Sequence, residues 1–185
     1  MPRARLAAVA IAVPTFAFPA LLAATLTACA GPGQVQGAAA SPRGGPSVQF
    51  QIGGAVARPA TYDQAALRAL PPSHQTVGSH DYTGVPVWTL LESAGLSVNP
   101  GVKNGVLAGY LVARGSDGYT VTFSLGELAP TFGNQPVMVA YAVDGAPLGT
   151  GGFARLVVPA DVKAGRAVAN LTSLEVVAVP SAKGQ

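Results

Sequence analysis

Strict alternation opens the patterned part of the chain: Val48, Phe50 and Ile52 are apolar and Gln49 and Gln51 separate them. That two-residue period predicts a strand with one buried face carrying all three apolar side chains. Asp63 to Leu70 predicts a short helix presenting Leu67 and Leu70 and stopped by Pro71-Pro72. A strand over Gln75–Ser79 leads into the polar run His80-Asp81-Tyr82-Thr83-Gly84, expected as a loop. Pro86 then opens a helix with Trp88, Leu90 and Leu91 that ends at Gly95. Leu107–Arg114 and Tyr119–Ser124 flank Gly115-Ser116-Asp117-Gly118, the pattern of a β-hairpin with Tyr119 in the core. Leu125–Leu128 predicts a helical turn before Pro130, and Val137–Val143 a central strand closed by Asp144-Gly145. Leu156–Val158 and Leu174–Val179 are further strands, with Asp161–Arg166 between them. Strands outnumber short helices and no internal repeat is present, so the expected class is α+β with layered β-sheets.

The first residues follow another rule. Arg3 and Arg5 precede an apolar stretch from Leu6 to Leu26, which ends in Leu26-Thr27-Ala28-Cys29. This predicts an export signal over residues 1–28 and a lipobox whose cysteine takes a diacylglycerol. Two other readings stay open: an ordinary A-x-A cleavage site at Ala28-Cys29-Ala30, and a retained membrane-spanning helix. Residues 29–47 are then the lipidated Cys29 and a Gly-, Pro-, Ala- and Gln-rich tether, 48–180 the folded domain and 181–185 a tail. The expected location is the outer side of a membrane, periplasmic or extracytoplasmic, with membrane lipid as the partner of Cys29.

Cys29 is the single cysteine, so a chain anchored through it has no thiol for a disulfide, a nucleophile or a metal. Cutting before Cys29 also removes Arg3 and Arg5. That leaves nine basic residues against eight acidic ones. With no basic block or interleaved aromatics, a nucleic-acid partner is not expected.

Polar clusters supply the candidate sites. His80, with Asp81 and Tyr82, is either a pH-sensitive ligand group or part of a capped loop in which Asp81 bonds its own backbone. His74 is expected as a solvent-facing turn residue, and two histidines without a nearby cysteine do not make a zinc site. Arg114, Ser116 and Asp117 are either ligand contacts or simply the hairpin. Gly149-Thr150-Gly151-Gly152, followed by Arg155, offers backbone N–H groups beside a guanidinium, a combination suited to phosphate or carboxylate. The alternative there is a plain loop in which Arg155 pairs with Asp144 or Asp161. Lys163 and Arg166 add nearby positive charge, and Asn170-Leu171-Thr172 matches a glycosylation pattern that a bacterial-type lipobox makes incidental.

Five segments carry a resemblance. They are Ile52-Gly-Gly-Ala-Val-Ala-Arg-Pro59, Tyr82-Thr-Gly-Val-Pro-Val-Trp-Thr-Leu-Leu-Glu-Ser-Ala-Gly95, Gly115-Ser-Asp-Gly-Tyr119, Asp144-Gly-Ala-Pro-Leu148 and Gly152-Phe-Ala-Arg-Leu-Val-Val-Pro159. In order and spacing the chain resembles the molybdopterin-binding domain of the sulfite-oxidase family of oxidoreductases, from about Val48 to Val179. The resemblance implies an α+β fold with several β layers, molybdopterin as the family cofactor, and molybdenum held by a cysteine just before the segment matching Tyr82–Gly95. Here that stretch is Gln75-Thr-Val-Gly-Ser-His-Asp81, without cysteine, and Ser79 or His80 is a poor substitute for a soft thiolate. The basic, tryptophan-containing stretch that grips the pterin corresponds to Gly165-Arg-Ala-Val-Ala-Asn170. Ala4 also separates Arg3 from Arg5, unlike the paired arginines that mark export of a folded, loaded enzyme.

The expectation is therefore a tethered relative with no cofactor. Ser79, His80, Gly151, Gly152 and Arg155 would line its pocket, and its partner would be a small anionic ligand or an envelope protein. Two alternatives remain: a working molybdenum oxidoreductase with an atypical ligand, and a structural or interaction module of the envelope.

Overall fold

The computed structural model describes residues 44–180. The predicted export segment, Cys29, the predicted tether through Arg43 and the tail 181–185 lie outside the described residues. No helix among the described residues is long and apolar enough to cross a membrane.

A mixed β-sheet and a wholly antiparallel one enclose the main core. The first uses β1 (Gln49–Gly54), β2 (Ala60–Asp63), β5 (Gly109–Gly115), β6 (Thr120–Ser124) and β10 (Leu171–Ala178), in the order β2-β1-β10-β5-β6. Only β1 and β10 run parallel; the other pairs are antiparallel. The second uses β3 (Ser73–Val77), β4 (His80–Pro86), β7 (Met138–Val143), β8 (Ala146–Pro147) and β9 (Arg155–Val157). Its order is β3-β4-β7, with β8 and β9 pairing to successive halves of β7.

Side-chain periodicity explains the layering. Phe50 and Ile52 of β1 are buried, as alternation predicts, but Val48 is exposed because the strand begins one residue after it. In β10 a bulge after Leu171 adds one residue, so Leu171 and Leu174 reach the same core three positions apart. β7 is buried almost throughout, as a central strand covered on both faces must be. Val139 and Tyr141 join the main core, whereas Met138 and Ala140 join a smaller apolar cluster on the opposite face with Val157.

Helices fill the space between strands. Helix α1 (Gln64–Arg68) starts where the Asp63 carboxylate accepts the Ala66 N–H at 2.8 Å, and it buries Leu67. Helix α2 (Val87–Ser93) follows Pro86 and buries Leu90 and Leu91. It stops at Gly95, whose φ of +71° lets Gly95 and Leu96 donate back to Glu92 and Leu91. Helix α3 is the single turn Leu125–Leu128.

Three expectations change. His80, Asp81 and Tyr82 are strand residues, because Gly78-Ser79 turns the chain tightly enough for β3 and β4 to pair from Val77 and His80 onward. The first strand of that hairpin is accordingly Ser73–Val77, displaced from Gln75–Ser79. Tyr119 is 47% exposed: its hydroxyl donates to the Gly165 carbonyl, which keeps the ring at the surface.

Candidate functional site

A cleft of about 330 Å³ lies against the outer face of the second sheet. Alternation along Arg155-Leu156-Val157 creates it: Leu156 points into the main core, so Arg155 and Val157 face the other way. Val77 and Tyr82 of the β3–β4 hairpin form one wall, and the segment from Val158 to Ala167 forms the other. The small cluster of Met138, Ala140 and Val157, against which Val77 and Tyr82 pack, lies beneath it.

Arg155 is the charged feature of this cleft. Its guanidinium has no hydrogen-bond or ion-pair partner among the described residues, and its Nε is buried without one. A buried donor left unpaired costs free energy comparable to a lost hydrogen bond. Both acids that might have paired it are engaged elsewhere. Asp161 also lines the cleft, but the Arg166 fork holds it, with Nε to Oδ2 at 2.9 Å and NH2 to Oδ1 at 2.6 Å. Those hydrogen bonds hold the Asp161 carboxyl below its usual pKa and raise that of Arg166. Arg166 reaches Glu127 as well, at 3.0 Å, and lies over the Phe123 ring.

Asp144 is the other candidate. It occupies an Asp-Gly turn between β7 and β8 in which both residues have positive φ, 51° and 76°. Its Oδ1 accepts the Asp81 N–H at 2.9 Å and its Oδ2 lies 2.7 Å from His80 Nδ1, where the ring nitrogen must carry the proton. The His80 hydrogen bond, followed by that from Asp81, lowers the Asp144 pKa. Asp81 does not cap its own backbone; its carboxylate stands 3.3 Å from His74 Nδ1.

The structure thus separates residues that the sequence places together. Arg155 is in the cleft, and Gly78 and Tyr82 line it. Ser79 and His80 are exposed at the hairpin tip next to it, outside the lining. Gly151 and Gly152 lie in and after a 3-10 turn, Gly149–Gly151, that is tied to Asn170: the Asn170 N–H donates to Gly151 and its carboxamide to Thr150. Their N–H groups are not part of the cleft wall. Lys163 is exposed and also outside the lining. Gly115–Gly118 is a hairpin turn in which Asp117 accepts the Tyr119 N–H at 2.8 Å. Ser116 Oγ donates to the Gly45 carbonyl at 2.6 Å, so the chain is attached to the domain from Gly44 onward.

Sequence reasoning missed the Asp161–Arg166–Glu127 network and the role of Asn170. The spacing of Asp161 and Arg166 shows no helix period, and Glu127 is remote in sequence. An Asn before a strand is a recognisable αL position, and Asn170 has φ +49°.

The donor set bears directly on the implied metal. No group of three or more His, Cys, Asp or Glu side chains among the described residues could hold a metal ion. The hairpin tip offers the Ser79 hydroxyl and a His80 ring already bonded to Asp144, and no thiolate. These residues do not fit a thiolate-held molybdenum. The cleft itself, with one unpaired guanidinium over an apolar floor, does fit an anionic group.

Comparison with known proteins agrees with the architecture. The model of the oxidoreductase molybdopterin binding domain matches residues 72–184. The crystal structure of the sulfane dehydrogenase SoxCD from Paracoccus pantotrophus superposes with a TM-score of 0.56 at 22% identity, over 70% of this chain. The chain spans 38% of the length of that protein, so the likeness is one of fold. No curated protein matches the chain. On the extent of the family match, the chain belongs to the oxidoreductase molybdopterin-binding domain family.

Proposed function

We propose that this protein is an exported lipoprotein, tethered through Cys29, that uses the molybdopterin-domain scaffold without molybdenum and binds a small anionic ligand at Arg155. The observation that carries the reading is the unpaired guanidinium. Arg155 faces a cleft whose other charged group, Asp161, is already held by the Arg166 fork. A planar fork of N–H donors above the apolar side chains of the floor favours a carboxylate or phosphate. The missing thiolate and the separated arginines Arg3 and Arg5 favour a domain without the metal. The tether and lipid rest on the lipobox alone.

Thermal unfolding of the domain with phosphate, sulfate, carboxylates and pterins tests the reading, because a ligand of the folded state raises Tm with concentration. At least one anion should raise Tm in the wild type and lose that effect in Arg155→Ala. Flat curves for all compounds, or equal shifts in both proteins, overturn it and leave an envelope interaction module.

A further inference from the structure

We propose that the ligand of the Arg155 cleft is a monocarboxylate with a compact apolar body, such as a branched aliphatic or aromatic acid. This rests on the anion-binding reading above and narrows it.

Charge sets the valence. Arg155 is the cation among the lining residues, and the lining carboxylate of Asp161 is held by Arg166, which stands behind it. Lys163 is outside the lining. One uncompensated guanidinium balances one negative charge, whereas a doubly charged phosphate or a pterin phosphate would bring a second charge that no lining cation balances. The fork of N–H groups matches the two oxygens of a carboxylate.

The walls set the rest of the molecule. Val77, Tyr82, Val157, Val158 and Pro159 present carbon surface, and the Val162 side chain stands fully exposed at the rim. A hydrated inorganic ion gains nothing from such walls, while an apolar body attached to the carboxylate removes them from water. The volume of about 330 Å³ is near the lower end of small-molecule sites, which favours a short, branched or ring-bearing acid over a long chain.

Affinity should be measured by NMR titration or thermal shift along acetate, propionate, butyrate, isovalerate and benzoate. Inorganic phosphate, sulfate and isovaleramide serve as comparators, in wild type, Arg155→Ala and Arg155→Lys. Binding should tighten about fourfold for each methylene buried until the cleft is full. Isovaleramide should not bind, Arg155→Ala should abolish binding, and Arg155→Lys should weaken it. A flat carboxylate series, or phosphate binding as tightly as isovalerate in an Arg155-dependent manner, overturns this proposal and leaves the anion-binding reading intact. No Arg155-dependent binding of any anion overturns both.

Discussion

Gly152 and Asn170 approach so closely that a side chain on the glycine would have to displace the asparagine. A Cβ at Gly152 would stand 2.3 Å from Asn170 Oδ1 and 3.1 Å from its Cα, and Gly152 has φ +80°. The same Asn170 oxygen faces the Ser47 N–H at 3.4 Å, and its NH2 donates to Thr150 at 3.1 Å. Asn170 thus ties the entry of the domain to the turn that leads into β9 and Arg155. Gly152→Ala should destabilise the domain by about 1–3 kcal/mol, from the clash and the left-handed backbone together. Urea unfolding should show this as a lower midpoint with an unchanged slope. An unchanged midpoint would mean that Asn170 yields freely.

A second close approach sits in the other sheet. Opposite Gly84, β7 bulges at Tyr141, and a Cβ on Gly84 would lie 2.2 Å from the Val139 carbonyl oxygen, a backbone atom that has no room to move. Gly84→Ala should therefore cost at least as much as Gly152→Ala, again about 1–3 kcal/mol, because a side-chain amide can rotate away and a strand cannot. Smaller destabilisation than that of Gly152→Ala, measured in the same urea experiment, would contradict that ranking.

The acid limb of stability should follow Asp161 and Asp144. Both folded carboxyls lie below their ordinary value of 3.8, so the folded state holds its protons less readily than the unfolded one. Their contribution is complete above about pH 4 and is lost as pH falls through the lower folded values. Arg166→Met keeps an unbranched apolar side chain at this position but removes the guanidinium over Phe123 and returns Asp161 toward its ordinary pKa. Stability near neutral pH should drop by roughly 1 kcal/mol, a modest figure because the pair is partly exposed. The slope of stability against pH between about 2 and 4 should flatten as well. A slope equal to that of the wild type would show that the fork does not hold the carboxyl down.

Much of this architecture is legible in the sequence, for physical reasons that differ by element. Alternation marks Phe50 and Ile52, and proline and glycine punctuate α2, because local sterics alone decide those features. Leu125–Leu128 and the Gly115–Gly118 hairpin are equally local. His80-Asp81-Tyr82 misleads because polar residues on a two-sided hairpin carry no apolar alternation, and only pairing with Val77, Thr76 and Gln75 makes them a strand. The cleft is half legible. The motif around Arg155 suggests an anion, but the apolar wall joins Val77, Tyr82 and Val158, which the sheet topology and not the spacing brings together. That Asp144 and Asp161 are already taken depends on partners at His80 and Arg166, beyond the reach of any local pattern.

Membrane attachment is tested at one atom. If the Cys29 sulfur carries the diacylglycerol, Cys29→Ser should leave an uncleaved precursor that takes up no labelled fatty acid. One acyl chain holds a protein weakly and several hold it stably, so the mature wild type should partition with membranes through a high-salt wash. Label in the serine variant would remove the lipoprotein reading and leave the A-x-A site or a retained helix.

Metal content decides between the two chemical readings of the family scaffold. The hairpin that precedes α2 offers Ser79 and His80, and the His80 ring is already bonded to Asp144 at 2.7 Å. A soft metal centre competes poorly for a hydroxyl and an occupied imidazole. The purified domain, produced in a host that makes the cofactor abundantly, should therefore contain molybdenum far below one equivalent and show no pterin fluorescence after denaturation. Near-equimolar metal would instead establish a molybdenum oxidoreductase with an atypical ligand. Ser79→Ala and His80→Ala, measured for retained metal, would then identify which side chain replaced the thiolate. Pterin without metal would keep the cofactor shape in the cleft but contradict the single-charge argument from Arg155. Neither metal nor pterin, together with Arg155-dependent carboxylate binding, is the outcome expected from the donor set and the unpaired guanidinium together.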